Sequence, residues 1–298
     1  MEMEPVKDNI SSHKYFFLVG FSELGELRPF LFIPFSFMFV VSLFANSLLV
    51  YVIVSQRSLH LPILPVFFVP HMLLSFLFDW RGISLGACLV QMYFVHLLGA
   101  FQSTLLLWMA LDRYFAICTP LYYQEQMAFE RFLKFVIPLF IRNVFTVLVV
   151  VILAGKLPFC LRNVINHCFC EHMALVELAC GSTTINSVAA LITVFSVPVT
   201  DFFLITASYT IIFSSVLSSG KSSAKALHTC VTHIVVMTVS LTIILTAFLS
   251  YRIRNSLPTA IRIFFSIMYL LFPSCFNPII YGIRTTEIRQ HILKTLKI

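Results

Sequence analysis

Charge is what this sequence has least of. Asp, Glu, Lys and Arg make up only 11% of its 298 residues, against about 25% in a soluble globular domain. With 59% apolar residues and a mean hydropathy of +0.94, that scarcity excludes a free-standing soluble domain and points to an integral membrane protein. A cleavable signal peptide is lacking too. Residues 1–28 carry Glu2, Glu4, Asp8, Glu23 and Glu26 among their bases, with no basic start leading into an apolar core. The first membrane span is therefore expected to act as the insertion signal. No HExxH helix, GxSxG elbow or phosphate-binding loop is expected. His71, His96, His172 and His233 are scattered over both membrane faces, so neither an enzyme, a metal site nor a cofactor is expected. No internal repeat of the kind many transporters show is visible. The net charge of +7 needs no nucleic acid, because bases flanking spans on the cytoplasmic side supply such an excess. Tryptophan is rare at two residues, whereas 32 phenylalanines suit a lipid-facing bundle.

Counted against the roughly 20 residues a bilayer needs, apolar runs predict seven spans. They cover about Pro29–Val54, His60–Asp79, Cys88–Phe115, Phe132–Ala154, Asn186–Phe213, His228–Tyr251 and Ile261–Tyr281. The fold class is thus an all-α membrane protein, a seven-transmembrane helix bundle. Residues 1–28 form an extracellular N-terminus, 29–282 the bundle and 283–298 a cytoplasmic tail. Ile283, Ile288, Ile292 and Leu296 recur there at helical spacing with bases between, as in a short amphipathic helix lying on lipid. Asn9 opens an N-x-S glycosylation triplet, in keeping with an outside N-terminus. The charge rule supports that orientation by ten basic residues to eight. The cysteines support it better. Five of the eight, Cys88, Cys160, Cys168, Cys170 and Cys180, fall on the side where an oxidising environment preserves disulfides, and an odd number leaves one thiol free.

Polar residues inside spans are usually partnered and often functional. Asn46 in span one reads as an interhelical hydrogen bond. Arg142 in span four either snorkels or pairs, and Asp201 in span five reads as a helix-packing acid or a pocket residue. At the end of span three, Asp112, Arg113 and Tyr114 bring an acid, a base and an aromatic together. From charge alone they are either a membrane-boundary marker or a working helix end.

Four separated motifs carry a resemblance. Met109–Tyr123 (MALDRYFAICTPLYY) resembles the MAxDRYxAICxPLxY stretch of olfactory receptors. Lys225–Ile234 (KALHTCVTHI) resembles the family's entry to span six, Ser208-Tyr209 its SY pair, and Asn277–Arg289 (NPIIYGIRTTEIR) its span-seven end. The phrases ISLGACLVQMYFVH and CEHMALVELACG are similar to the class I, fish-like branch, near families 51 and 52. The resemblance implies a rhodopsin-like G-protein-coupled receptor in the plasma membrane, which binds a small odorant and activates a stimulatory G protein to raise cyclic AMP. It implies a switch at Asp112, Arg113 and Tyr114, with Asn277, Pro278 and Tyr281 in the span-seven hinge. It also implies disulfides Cys88–Cys170 and Cys160–Cys180, leaving Cys168 as the odd thiol. Since class I receptors are associated with carboxylic acids, Arg252 at the outer end of span six is expected to anchor an acid head group, and His96, a little over two turns below Cys88, to line the pocket.

Span two departs from the family pattern. Leu59-His60-Leu61-Pro62 runs almost at once into Val69-Pro70-His71-Met72, so a stretch holding the span's acidic residue is missing. What remains, Leu61 to Phe78, is 18 residues with Pro62, Pro65 and Pro70, enough to cross a membrane with nothing spare for tilt. The alternative expectation is therefore a seven-helix remnant that inserts but signals poorly or not at all.

Overall fold

The computed structural model describes residues 13–55, 81–160, 162–218, 224–252 and 257–284. Asn9, the shortened second span and the tail beyond Arg284 lie outside these. The described chain is a helical membrane bundle. Helices α1 (Phe32–Ser55), α2 (Leu85–Cys118), α3 (Phe129–Gly155), α5 (Thr184–Ser218), α6 (Ala224–Ser250) and α7 (Thr259–Arg284) correspond to six of the expected spans, and a short α4 (His172–Val176) lies between α3 and α5. Five have apolar stretches long enough to cross a bilayer, and α6 adds the shorter Ile234–Ser250. Backbone groups in lipid must be satisfied within the segment, which is why apolar runs of this length become helices. Phe37, Phe44, Phe145, Ile192 and Phe203 point outward and are well exposed, as lipid-facing side chains are.

Two features of the helices matter for the site. α2 is 34 residues long and central, packing against both α3 and α5. α5 is interrupted by a π-turn at Phe195–Val199 that contains Pro198. Proline has no N–H to donate, and π-turns occur where such a ladder is broken. The Phe195 carbonyl accepts both the Thr200 backbone N–H and, at 2.8 Å, the Thr200 hydroxyl, which holds the wide turn closed. The extra residue re-aims the remainder of α5, and Asp201 is turned into the bundle, fully buried.

One end of the bundle is covered by a small sheet that apolar periodicity does not announce. β1 (Tyr15–Leu18) lies between β2 (Gly82–Ser84), antiparallel to it with Phe16 opposite Ile83, and β3 (Val164–Ile165), parallel to it with Phe17 opposite Val164. Alternation places Phe16 and Leu18 in the core and Tyr15 and Phe17 outside. The Phe16 and Phe159 rings meet edge to face at 5.4 Å. The segment expected only as an N-terminal extension is thus stitched to both neighbouring loops. Gly20 follows the strand where a Cβ would collide with the Cys168 sulfur, so no larger residue fits. Contrary to the expectation that no such string occurs, Gly82–Gly86 (GISLG) matches the G-x-S-x-G of hydrolase elbows. Ser84, however, has ordinary extended backbone, and its hydroxyl is the N-cap of α2, accepting from Ala87 N at 3.3 Å.

Candidate functional site

Beneath the sheet, helices α2, α3, α5, α6 and α7 and the α4 segment line a cavity of about 180 Å³. An apolar cavity of about 150 Å³ suffices to hold benzene, so the space suits a small organic molecule. Its walls are mostly apolar, with Phe202, Leu241 and Phe248 among them, and its polar groups are few: His96, Gln102, Ser103, Thr193, Ser240, Ser266 and Tyr269, with Glu171 and His172 at the lid. This pattern of apolar walls and sparse polar groups is that of small-molecule sites.

His96 lines this cavity, its Nδ1 3.2 Å from the Tyr269 hydroxyl, while its buried Nε2 has no hydrogen-bond partner. Arg252 stands outside the lining residues. Its guanidinium donates to the Ser187 carbonyl and lies over the ring of Phe248 at 4.6 Å from the centroid. Phe248 itself faces the cavity, so one aromatic ring separates Arg252 from the space that holds His96. Arg262, one turn into α7, reaches instead toward the lid, 3.6 Å from Glu177.

Below His96 the helices are joined by a buried ionic cluster. Arg142 on α3 meets Asp201 on α5 through two bonds, Nη1–Oδ1 at 2.8 Å and Nη2–Oδ2 at 3.1 Å. It also donates to Asn143 Oδ1 and to the Thr104 hydroxyl on α2. Ser103 donates to Asp201 Oδ2 at 2.9 Å, and Asn143 donates to Thr104 at 2.9 Å. Both alternatives left open for Arg142 and Asp201 are thereby resolved. They pair with each other, and the hydropathy pattern had no means of linking residues so far apart. Ser103, Thr104 and Asn143 escaped the sequence reading because hydroxyls and amides in a span carry no distinguishing periodicity.

The lid is buried and covalently fixed. Cys88 at the start of α2 is bonded to Cys170, and Cys160 to Cys180; Cys168 is a free, buried thiol. Gln91 Oε1 accepts from Cys170 N at 2.9 Å, and Glu171 caps α4 by accepting from Ala174 N at 2.7 Å. Burial pushes the Glu171 carboxyl up to about 7 and holds the His167 and His172 imidazoles down at about 3. The signs oppose. The histidines, with ordinary values of 6.5, contribute stability that is complete above pH 6.5 and is lost as pH falls toward 3. Glu171, ordinarily near 4.5, contributes stability below that value, lost as pH rises toward 7. Two histidines outweigh one carboxyl, so from pH 7 to pH 5 the purified protein should lose roughly 1–2 kcal/mol. Its unfolding midpoint at the two pH values checks this, and an equal or higher midpoint at pH 5 would show that the lid histidines are not held neutral by burial.

At the far end of α2, Asp112 is hydrogen-bonded by the Tyr123 hydroxyl at 2.7 Å, and Arg113 Nε lies 3.8 Å from Asp112 Oδ2. Tyr123 sits in the turn after Pro120 and is a further residue that the motif alone does not assign. The phenol is pushed up to about 12 by partial burial and by Asp112 beside it. Tyr114 is half-buried against the cluster around Tyr209 on α5. Asn277, Pro278 and Tyr281 occupy the last turns of α7, and their side chains lie outside the described set. Asn46 ties α1 to α7, donating to Ser42 O at 2.7 Å and Ser274 O at 2.8 Å, the interhelical bond its position suggests.

A long central helix with a cavity near one end and an acid–base–aromatic cluster at the other is the arrangement of a helical membrane receptor. The sequence model of the olfactory receptor family matches residues 35–297. Human olfactory receptor 52N2 is 33% identical, the alignment covering 97% of this chain and 96% of that one. Human olfactory receptor 52K1 is 34% identical over 93% of each chain, and human olfactory receptor 51E2 is 35% identical over 96% of this chain and 94% of its own. The chain belongs to the olfactory receptor family of G-protein-coupled receptors, multi-pass membrane proteins and not a class of enzymes.

Proposed function

We propose that this protein is a plasma-membrane odorant receptor, with β1 and the disulfide-locked lid outside and Asp112–Arg113–Tyr114 facing a stimulatory olfactory G protein that raises cyclic AMP. The observation that carries the reading is the single helix α2, which bears cavity-lining residues toward one end and the Asp112–Arg113 pair at the other. A ligand shifts the balance between two packings of the bundle only by binding one better than the other, and a wall shared with the G-protein end gives it that leverage. Disulfides persist on an oxidising face, which supports the orientation, as does a glycosylation acceptor at Asn9. Asn277, Pro278 and Tyr281 complete the switch as the hinge of the last helix. The cavity takes small volatile molecules with an apolar body, carboxylic acids among them. The acid head group is met by His96, with Arg252 reached by rotation of Phe248 and release of the Ser187 carbonyl.

Aliphatic acids applied to cells displaying the receptor should raise cyclic AMP. Arg252→Ala should shift the acid concentration for half-maximal response by about ten- to a hundredfold, the range of a lost charge-assisted contact, with surface staining unchanged. Unaltered acid responses in that variant would remove Arg252 from the site. One observation favours a second reading. The alignment with human olfactory receptor 52N2 runs over 307 positions, more than the 298 residues of this chain, which fits a stretch missing from span two. On that reading the protein inserts but signals weakly, and strong surface staining with a robust cyclic AMP response would exclude it.

A further inference from the structure

Five side chains bearing a hydroxyl line the cavity: Ser103 on α2, Thr193 on α5, Ser240 on α6, and Ser266 and Tyr269 on α7. The first three have their protons already directed to other groups. Thr193 donates to the Ala189 carbonyl at 3.0 Å and Ser240 to the Val236 carbonyl at 2.8 Å. Ser103 differs from them, because its proton goes not to its own helix but to Asp201 Oδ2 at 2.9 Å. That carboxylate is fully buried and held by Arg142 through two bonds. A hydroxyl has one proton and two lone pairs, so all three present oxygen lone pairs to whatever fills the cavity. The helix-carbonyl bonds of Thr193 and Ser240 are neutral and can be exchanged by rotating the hydroxyl. The Ser103 bond is charge-assisted and roughly twice as strong, and turning its proton into the cavity would strip a donor from a buried anion.

We propose that Ser103 is a specificity-determining residue, a fixed hydrogen-bond acceptor that makes the cavity select ligands carrying a hydroxyl donor, aliphatic alcohols above all, over equally sized molecules that can only accept. The proposal deepens the odorant-receptor reading and rests on it for the identity of the cavity as the ligand site. Ser103 lies seven residues below His96, two turns along the same face of α2 and about 10 Å away. An alcohol therefore reaches Ser103 with its apolar body between the two polar ends. A bare carboxylate at that depth would face lone pairs with Asp201 behind them, so acids bind with the head group at the His96 end. An ether or ketone placed against Ser103 leaves both oxygens without a proton between them, and a buried acceptor left unmet is the costly outcome.

The test uses two isomers, n-heptanol and hexyl methyl ether, which share formula and heavy-atom count and differ in the donor. Each is titrated against purified full-length protein in lipid nanodiscs carrying the fluorescent dye N-phenyl-1-naphthylamine. The wild type should bind the alcohol about tenfold more tightly than the ether, the size of one net hydrogen bond. Ser103→Ala should weaken the alcohol to the level of the ether while leaving the ether unchanged, and Ser103→Thr should keep the preference. The wild-type comparison and the threonine variant decide the matter even if the alanine variant yields no protein. Equal affinities in the wild type, equal loss of both ligands in Ser103→Ala, or no displacement by either isomer would overturn the proposal. Cyclic AMP recorded in parallel separates the two levels. An alcohol preference without a cyclic AMP response to any odorant counts against the receptor reading and leaves Ser103 as the acceptor. Odorant-evoked cyclic AMP without the preference overturns this inference alone.

Discussion

Replacing Arg142 with leucine should cut surface delivery by more than tenfold, while replacing Arg142 and Asp201 together with leucine should restore most of it. Asp201 is wholly buried and its carboxylate takes two bonds from the Arg142 guanidinium. Removing the cation leaves a charge in the bundle interior with only Ser103 and Thr104 to solvate it. Breaking a buried pair by deleting one partner costs about 3–5 kcal/mol, whereas replacing both by apolar groups is often neutral. In lipid the stranded charge has no water to reach, which places this case toward the upper end of the range. Arg142→Lys should be intermediate. An ammonium is a point donor, and it cannot serve Asp201, Asn143 and Thr104 at once as the fork does. Cell-surface labelling alongside total protein checks the series. Normal delivery of Arg142→Leu, or a double variant as poor as the single ones, would mean the pair does not hold α3 against α5.

The same pair shows how far the sequence was legible. Hydropathy located the spans because lipid demands helices of a set length, and six of them stand where the apolar runs placed them. The motifs Asp112–Tyr114 and Asn277–Tyr281 were legible as family signatures. Arg142 and Asp201 were visible only as separate anomalies, since their pairing depends on the π-turn at Phe195–Val199, and a one-residue change of phase cannot be read from apolar spacing. β1 was invisible for a different reason. A four-residue strand is held by partners distant in sequence, Gly82–Ser84 and Val164–Ile165. Arg252 was read from its place at a helix end, and helix position does not tell which of several carbonyls or rings a long side chain will choose. Ser103 gave no signal at all, because a serine in a span is ordinary until its proton is seen to leave its own helix.

Cys88→Ser should abolish delivery of a dye-binding receptor, and Cys88→Ser with Cys170→Ser should be no worse than either alone. The bond closes a sequence separation of 82 residues, for which chain entropy gives about 4.5 kcal/mol. That is a large part of the 5–15 kcal/mol that stabilises a typical fold. The site adds to the entropy. Cys170 N donates to Gln91 one turn along α2, and Glu171 next in sequence caps α4 above the cavity. Releasing Cys170 therefore loosens the part of the cavity wall formed by Glu171 and His172. The second bridge, Cys160–Cys180, spans 20 residues, for which the same relation gives about 3 kcal/mol, so Cys160→Ser should be the milder lesion. Cys168 is no ready substitute. Its thiol is buried against Gly20, and burial pushes it well above the usual thiol range, leaving little thiolate to exchange. Cys168→Ala should accordingly bind dye like the wild type, and dithiothreitol applied to purified receptor should release the dye from both. Additive losses in the Cys88/Cys170 double variant would show that the two sulfurs act separately, and retained dye binding in Cys88→Ser would show that the sheet formed by β1, β2 and β3 holds the lid without the covalent link.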